Sequence, residues 1–479
     1  MSMHKTVRTR LAPSPTGELH VGGLAMALKG YAWAKKNDGT FILRIEDTDQ
    51  TREVTGAVDR IKQILMTFNL QWDEGPDVGG DFGPYIQSER LPLYQKYAQE
   101  LLANGHAYYC FCTKERLAQV RDEQRAKKLP PMYDGHCRSL SESEVQAKLD
   151  NHEPSVIRLK VPKDESLSFT DLLRGTITFE TNTVDDQVLL KSDGFPTYHL
   201  AVVVDDHTMH ISHVFRGEEW ISSAPKHVLL YRSFGWELPV FVHFPIFLNP
   251  TGKGKMSKRH GTVSVESFLS QGYLPDALLN FLMILGWAPK DDQEVMSLER
   301  YINEFNPGDV SSKSVKFDLT KLQWLNGVYI RTLSMDALSE RLQPFLPTDF
   351  PQDRLVEILP LVSERLVLLS DIEELTNFFY RPIEVDPQQL LKKADAQLVK
   401  EQLQQTHAAL AEHDSWELAA IETTIRELQE RHDWHRGQYF MMLRLAVTGK
   451  KATPPLFETI SALGTDQTLE RLDSAAQRL

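Results

Sequence analysis

Apolar and polar positions alternate along this chain in patterns that change three times. Val7 to Leu11 reads as a short strand, and Pro13 to Pro15 turns the chain. Leu24 to Lys36 spaces its apolar residues at helical intervals, and Asn37-Asp38-Gly39 supplies the stop. Thr40 to Ile45 is β-branched and apolar, so it reads as the next strand, delivering Glu46-Asp47-Thr48-Asp49 at its C-terminal end. Such a strand–helix–strand unit opens a doubly wound parallel sheet. Ligands in these sheets bind beyond the carboxyl ends of the strands, where both polar clusters fall.

From about 101 to 190 the pattern changes. A charged, helix-like run covers Lys114 to Lys128, and short strand-like pieces such as Ser155 to Val161 follow. This stretch reads as an insertion that splits the sheet. The sheet is expected to resume with Gln187 to Leu190, Tyr198 to Val204 and Met209 to Phe215. A helix over Ser222 to Ser233 and a last strand over Phe241 to Leu248 follow. Residues 262–331 are mixed and mostly helical, and 332–479 are helical throughout, broken at Pro347, Pro351 and Pro382. The expected fold class is therefore α/β: a doubly wound, Rossmann-like domain in two halves, 1–100 and 191–261, an inserted domain over 101–190, a mixed, mostly helical region over 262–331 that is expected to contact the stem of an RNA ligand, and an all-helical C-terminal region over 332–479.

With 479 residues, 41% hydrophobic and 25% charged, the chain has the composition of a multidomain globular enzyme rather than a disordered one. Its longest apolar stretch, Ala277 to Ala288, is too short to span a bilayer, which takes about 20 residues. The N-terminus lacks the apolar core of a signal peptide, so the expected compartment is the cytoplasm and no membrane partner is expected. A net charge of −13 excludes a uniformly basic nucleic-acid-coating protein, though not an RNA ligand met by local patches. One such patch holds Lys253, Lys255, Lys258 and Arg259.

Three stretches carry candidate chemistry. Gly22 and Gly23 at a helix start permit close approach of a nucleotide, and His20 beside them is a donor to phosphate oxygens. Lys255 and Lys258 stand in a Gly-rich loop, where flexible ammonium groups can follow charge developing on a phosphate. Cys110, Cys112 and Cys137 are the only cysteines; clustered and odd in number, they suggest a tetrahedral zinc site rather than disulfides, with buried free thiols as the alternative.

The string Arg10-Leu-Ala-Pro-Ser-Pro-Thr-Gly-Glu-Leu-His-Val-Gly-Gly23 resembles the HIGH signature of class I aminoacyl-tRNA synthetases as the glutamyl-tRNA synthetases carry it, with Gly23 in place of the second histidine. Lys255-Met-Ser-Lys-Arg259 is similar to their KMSKS loop, with Arg259 in the fifth position. Pro196-Thr-Tyr-His-Leu-Ala201 and Val214-Phe-Arg-Gly-Glu-Glu-Trp220 are similar to further segments of the same family. The resemblance implies a ligase forming carbon–oxygen bonds, which makes glutamyl-adenylate from glutamate and ATP with Mg²⁺ and esterifies tRNA(Glu). It implies catalytic roles for His20, Lys255 and Lys258, and nucleotide contacts for His20, Gly22, Gly23, Glu219 and Lys258. Arg10, Ala12, Ser14, Glu46, Tyr198 and Arg216 are implied to hold glutamate, with Arg216 on its side-chain carboxylate. It further implies that 101–190 holds the tRNA acceptor end, that 332–479 binds the anticodon, and that the chain works as a monomer with no DNA partner. Some relatives hold zinc through three such cysteines and a histidine two residues after the third. That position is Ser139 here, which leaves Tyr133 as the substitute, with His136 less well placed. The runners-up are a glutaminyl enzyme and the short enzyme that attaches glutamate to a modified tRNA base. Pro13-Ser14-Pro15 disfavours the first, and the length after Arg331 disfavours the second.

Overall fold

Two parallel strands and the helix between them open the fold, in a computed structural model that describes residues 6–256, 263–391, 394–413 and 415–479. Strand β1 (Arg8–Leu11) leads to helix α1 (Val21–Lys36) and back to β2 (Thr40–Leu43), with Arg8 opposite Thr40 and Leu11 opposite Leu43. The helix ends where the sequence stops it: Gly39 passes so close to Val7 that a Cβ there would lie 2.1 Å from the Val7 carbonyl oxygen. Leu24, Leu28 and Ala32 of α1 are fully buried, each leucine adding about 2 kcal/mol of apolar burial.

Helices α2 (Ala57–Thr67) and α3 (Leu91–Ala103) follow. The inserted stretch holds β3 (Ala107–Cys110), α4 (Lys114–Ala126), α5 (Glu142–Asp150), β4 (Val156–Leu159), β5 (Ser166–Asp171), β6 (Gly175–Glu180) and β7 (Val188–Leu190). Next come α6 (Tyr198–Thr208), β8 (His213–Gly217), α7 (Ala224–Phe234) and β9 (Val240–Phe244). β8 and β9 pair in parallel, and Ser212 ties β1 to them by donating to the Arg8 carbonyl at 3.0 Å and accepting from the Val240 N–H at 2.8 Å. The β5–β6 hairpin extends this sheet through a parallel contact of β5 with β9.

Two expectations are corrected. Tyr198 to Val204 is a helix, not a strand. Leu200, Ala201, Val202, Val203 and Val204 are all buried, and an apolar run covered on every side has no periodicity to separate helix from strand. Gln187 to Leu190 does form a strand, yet β7 pairs antiparallel with β4, so it belongs to the β3–β4–β7 sheet of the insertion and not to the parallel one.

The chain divides into two units. The first comprises 1–268 and 278–319, and the second 269–277 and 320–479. The second is helical, from Met335–Leu342 to Thr465–Gln477, around a core that includes Leu403, Ile425, Leu443 and Ile460. No helix of the described residues is long and apolar enough to cross a membrane.

Candidate active site

At the carboxyl ends of β1, β2 and β8 the first unit opens into a cavity of about 470 Å³. Its wall contains Arg10, Ala12, Ser14, His20, Gly22, Gly23, Glu46, Tyr198, Arg216, Glu219 and Lys255, which stand far apart in sequence. All the residues expected around glutamate and the nucleotide are here except Lys258, which with Arg259 lies outside the described residues.

His20 is the N-cap of α1: its Nδ1 accepts the Gly22 N–H at 2.9 Å. A neutral ring that accepts at Nδ1 carries its proton on Nε2, which makes that edge a donor. The helix start itself is less open to anions than the glycines suggest. Val21 N–H donates to the Val263 carbonyl, Gly22 N–H to His20, and Gly23 N–H to the His20 carbonyl. The imidazole, rather than a bare row of amides, is therefore the polar group this turn presents.

Beneath the cavity lies a buried charge network. Arg10 grips Asp206 with two bonds, Nε to Oδ1 at 3.0 Å and one terminal nitrogen to Oδ2 at 3.2 Å. Arg44, fully buried, reaches Asp206 at 2.8 Å and Glu46 at 3.0 Å. Asp205, the next residue on α6, accepts from Arg90 at 2.7 Å and from Gln87 at 2.8 Å. Burial pushes Asp206 up, but Arg10 and Arg44 outweigh it and hold its carboxyl below the usual range. Glu46 goes the other way: burial wins over Arg44 and Arg10 and lifts its carboxyl above the usual range.

Arg216 at the end of β8 is treated differently. It is buried, yet among the described residues no carboxylate pairs with it. Its Nε donates to His243 Nε2 at 2.9 Å, one terminal nitrogen meets His227 Nδ1 at 3.0 Å, and the other is buried with no carboxylate or ring nitrogen to receive it among the described residues, the Tyr198 hydroxyl being the polar group beside the guanidinium. Burial and then the Arg216 charge hold His227 well below its ordinary value, so this neighbour stays neutral and adds no second positive charge. A buried cation with one donor edge unsatisfied is poised for an anion.

Lys255 pairs with Glu219 at 2.8 Å, both half-exposed, on a turn that closes by Met256 N–H donating to the Phe247 carbonyl. Away from the cavity, the sulfurs of Cys110, Cys112 and Cys137 all lie within 4.8 Å of one another. The Tyr133 hydroxyl stands 3.4 Å from the Cys110 sulfur and 3.5 Å from that of Cys112, and the sulfurs of Cys112 and Cys137 are 3.6 Å apart.

Sequence reasoning missed Arg44, His227 and His243, and it set Asp205-Asp206-His207 near the pocket by resemblance without giving Asp206 a role. Arg44 alternates with Glu46 on one strand, and acids inside the apolar run Leu200 to Asp206 were the available signal for Asp206. The histidines gave none, because their link to Arg216 exists only in the fold.

The chain was compared with known proteins. Residues 6–324 match the model for "tRNA synthetases class I (E and Q), catalytic domain", and 337–476 match an "Anticodon binding domain". It is 45% identical to a "Glutamate--tRNA ligase" of Dehalococcoides mccartyi strain CBDB1, over 100% of this chain and 98% of that protein. One of Finegoldia magna is 44% identical, over 98% of this chain and 99% of that protein. Among solved structures, a glutamate tRNA ligase of Elizabethkingia meningosepticum in complex with its amino acid aligns with a TM-score of 0.88 at 36% identity, covering 99% of this chain and 100% of that one. These relatives correct one expectation, that of a ligase defined strictly by carbon–oxygen bond formation. Enzymes of this kind reach their ester through an adenylate, so the final bond alone leaves out the step that activates the carboxylate.

Proposed function

The chain belongs to the class I tRNA synthetases for glutamate and glutamine, and from that premise we propose the roles its residues take in charging tRNA with glutamate. The activity is that of the glutamate branch: glutamate and ATP give glutamyl-adenylate and pyrophosphate, and the 3′ end of tRNA(Glu) then takes the acyl group and releases AMP.

The observation that carries the assignment of roles is the unpaired charge of Arg216 in the cavity wall. It receives the side-chain carboxylate of glutamate, and Glu46 holds the ammonium. Arg10, Ala12, Ser14 and Tyr198 complete the pocket. With the amino acid so placed, its α-carboxylate attacks the α-phosphate of ATP in line, and positioning does most of the work. The Nε2–H of His20 donates to a phosphate oxygen, and Gly22 and Gly23 leave room for the nucleotide. Glu219 contacts the nucleotide and holds Lys255 until charge develops, when Lys255 and Lys258 stabilise the transition state. When bound with the phosphates of ATP, Mg²⁺ would offset their negative charge. Glu18 and Glu219 are the wall carboxylates outside the arginine network, and they are the residues that would hold it.

Zinc fits the insertion. Tetrahedral thiolate ligands lie about 3.8 Å apart, close to the spacing of Cys112 and Cys137, and the Tyr133 hydroxyl, beside two of the sulfurs, would supply the fourth ligand. There the metal would tie β3 to the Cys137 turn and take no part in chemistry. The same reading gives 101–190 the acceptor end and 332–479 the anticodon, in a cytoplasmic monomer. The base-modifying rival has no use for a region like 337–476.

The test is glutamate-dependent ATP–pyrophosphate exchange with and without cognate tRNA. Exchange that needs tRNA supports this reading. Exchange with glutamate alone shifts weight to the base-modifying relative, and none under either condition overturns the assignment.

A further inference from the structure

Arginine only donates hydrogen bonds, so each nitrogen that faces Arg216 must present a lone pair. This settles the protons on four side chains. His243 accepts from Arg216 at Nε2, and its Nδ1 proton goes to Asp171 Oδ2 at 2.7 Å. His227 accepts from Arg216 at Nδ1, so its Nε2 proton goes to His199 Nδ1 at 3.0 Å. Both rings next to the guanidinium are thereby neutral. Their supports are firm: His243, His227 and Asp171 are buried almost completely. Asp171 is further pinned by three backbone N–H groups, those of His243, Leu173 and Arg174, at 3.0, 3.0 and 3.1 Å.

Resting on the glutamate assignment above, we propose that Asp171–His243 and His199–His227 are two positioning arms for Arg216. They accept two of its donors through neutral nitrogens and leave its charge and third donor edge for the substrate's side-chain carboxylate. Two carboxylates in place of the two rings would neutralise the guanidinium and admit a carboxamide as readily. Two apolar residues would leave it unsatisfied and free to turn. With neutral acceptors the arginine is held in plane while staying a cation, so glutamine in this pocket would leave a buried charge unpaired. One arm originates in the inserted stretch, since Asp171 ends β5, whose contact with β9 brings it to His243.

The experiment measures KM for glutamate and for ATP, and the glutamate-to-glutamine ratio of kcat/KM, in Arg216→Ala, His243→Leu, His243→Gln and His199→Leu. Losing an acceptor in His243→Leu is expected to raise the glutamate KM about tenfold or more and to lower the ratio comparably, with the ATP KM within about twofold. His243→Gln, whose side-chain carbonyl again accepts, should return both to within about threefold of the parent. His199→Leu, at a half-buried position, reports on the other arm if His243→Leu does not fold, with the same direction and a smaller effect. An unchanged glutamate KM and ratio in folded His243→Leu and His199→Leu, or equal losses for glutamate and ATP, would overturn the proposal. Arg216→Ala separates the two readings. If it raises the glutamate KM while the histidine variants do not, only the positioning arms fail; if it changes nothing, the glutamate assignment fails with them.

Discussion

Asp206 accepts from Arg10 and Arg44 with almost no solvent to screen either contact. Removing its charge leaves buried Arg10 facing a neutral acceptor and Arg44 with Glu46 as its closest remaining carboxylate, so Asp206→Asn is expected to destabilise the first unit by about 3 kcal/mol. The sign of its pH dependence follows from its depressed folded value. The stabilisation is complete above the ordinary carboxyl value of 3.8 and is lost as pH falls through the lower value of the folded state. Urea unfolding at pH 6 and at pH 3.5 checks this: the parent should lose more stability between those points than Asp206→Asn does. An equal loss would mean that other carboxylates carry the acid response. Glu46, lifted by burial, contributes with the opposite sign, since its folded form takes up a proton first. At this scale the sequence was legible only where a residue sat in a motif. Arg10, Glu46 and Arg216 did, whereas the pairing of Arg44 with Asp206 joins the end of β2 to a helix far along the chain and no local pattern records it.

Helix α1 joins two jobs in one side chain, because His20 caps the helix through Nδ1 while its ring lines the cavity. The jobs can be separated. Asparagine is a good N-cap but has no donor at the position of Nε2, while alanine lacks both. His20→Asn is therefore expected to keep stability within about 0.5 kcal/mol of the parent and to lower kcat on the order of 10²-fold, as for the loss of one charge-stabilising donor. His20→Ala should add a stability loss of about 1 kcal/mol to a similar kinetic defect. Equal stability in both variants would show that the cap carries little, and a normal kcat in His20→Asn would remove the imidazole from the chemistry. Element α1 was readable in advance because its stop residues and apolar spacing agreed. Element α6 was not, because Ala201-Val-Val-Val204 is β-branched and covered on all sides, so tertiary packing overrode propensity. For β7 the strand was readable but its partner was not: a run of three apolar residues says nothing about which sheet receives it.

The two units draw on separate apolar clusters. One is built from residues such as Leu101, Val203, Leu230 and Phe241, and the other from Leu403, Ile425, Leu443 and Ile460. Buried apolar area is what makes unfolding cooperative, so each unit should melt by its own transition, and calorimetry on the full chain should resolve two. Which transition belongs to which unit can be assigned chemically, because all three cysteines lie in the first unit. If Cys110, Cys112, Cys137 and Tyr133 hold zinc as proposed, the metal would stabilise only a fold that brings these residues together, and its removal would lower the stability of that fold. Stripping the metal with a chelator, or replacing Cys112 by serine, is expected to lower one transition by several degrees and leave the other in place. Asp206→Asn should lower that same transition, since both sites lie in one unit. A single transition that shifts as a whole would mean that the second unit depends on the first for its stability. If two transitions appear and neither responds to chelation or to Cys112→Ser, the three thiols hold no metal and pack as buried side chains around Tyr133.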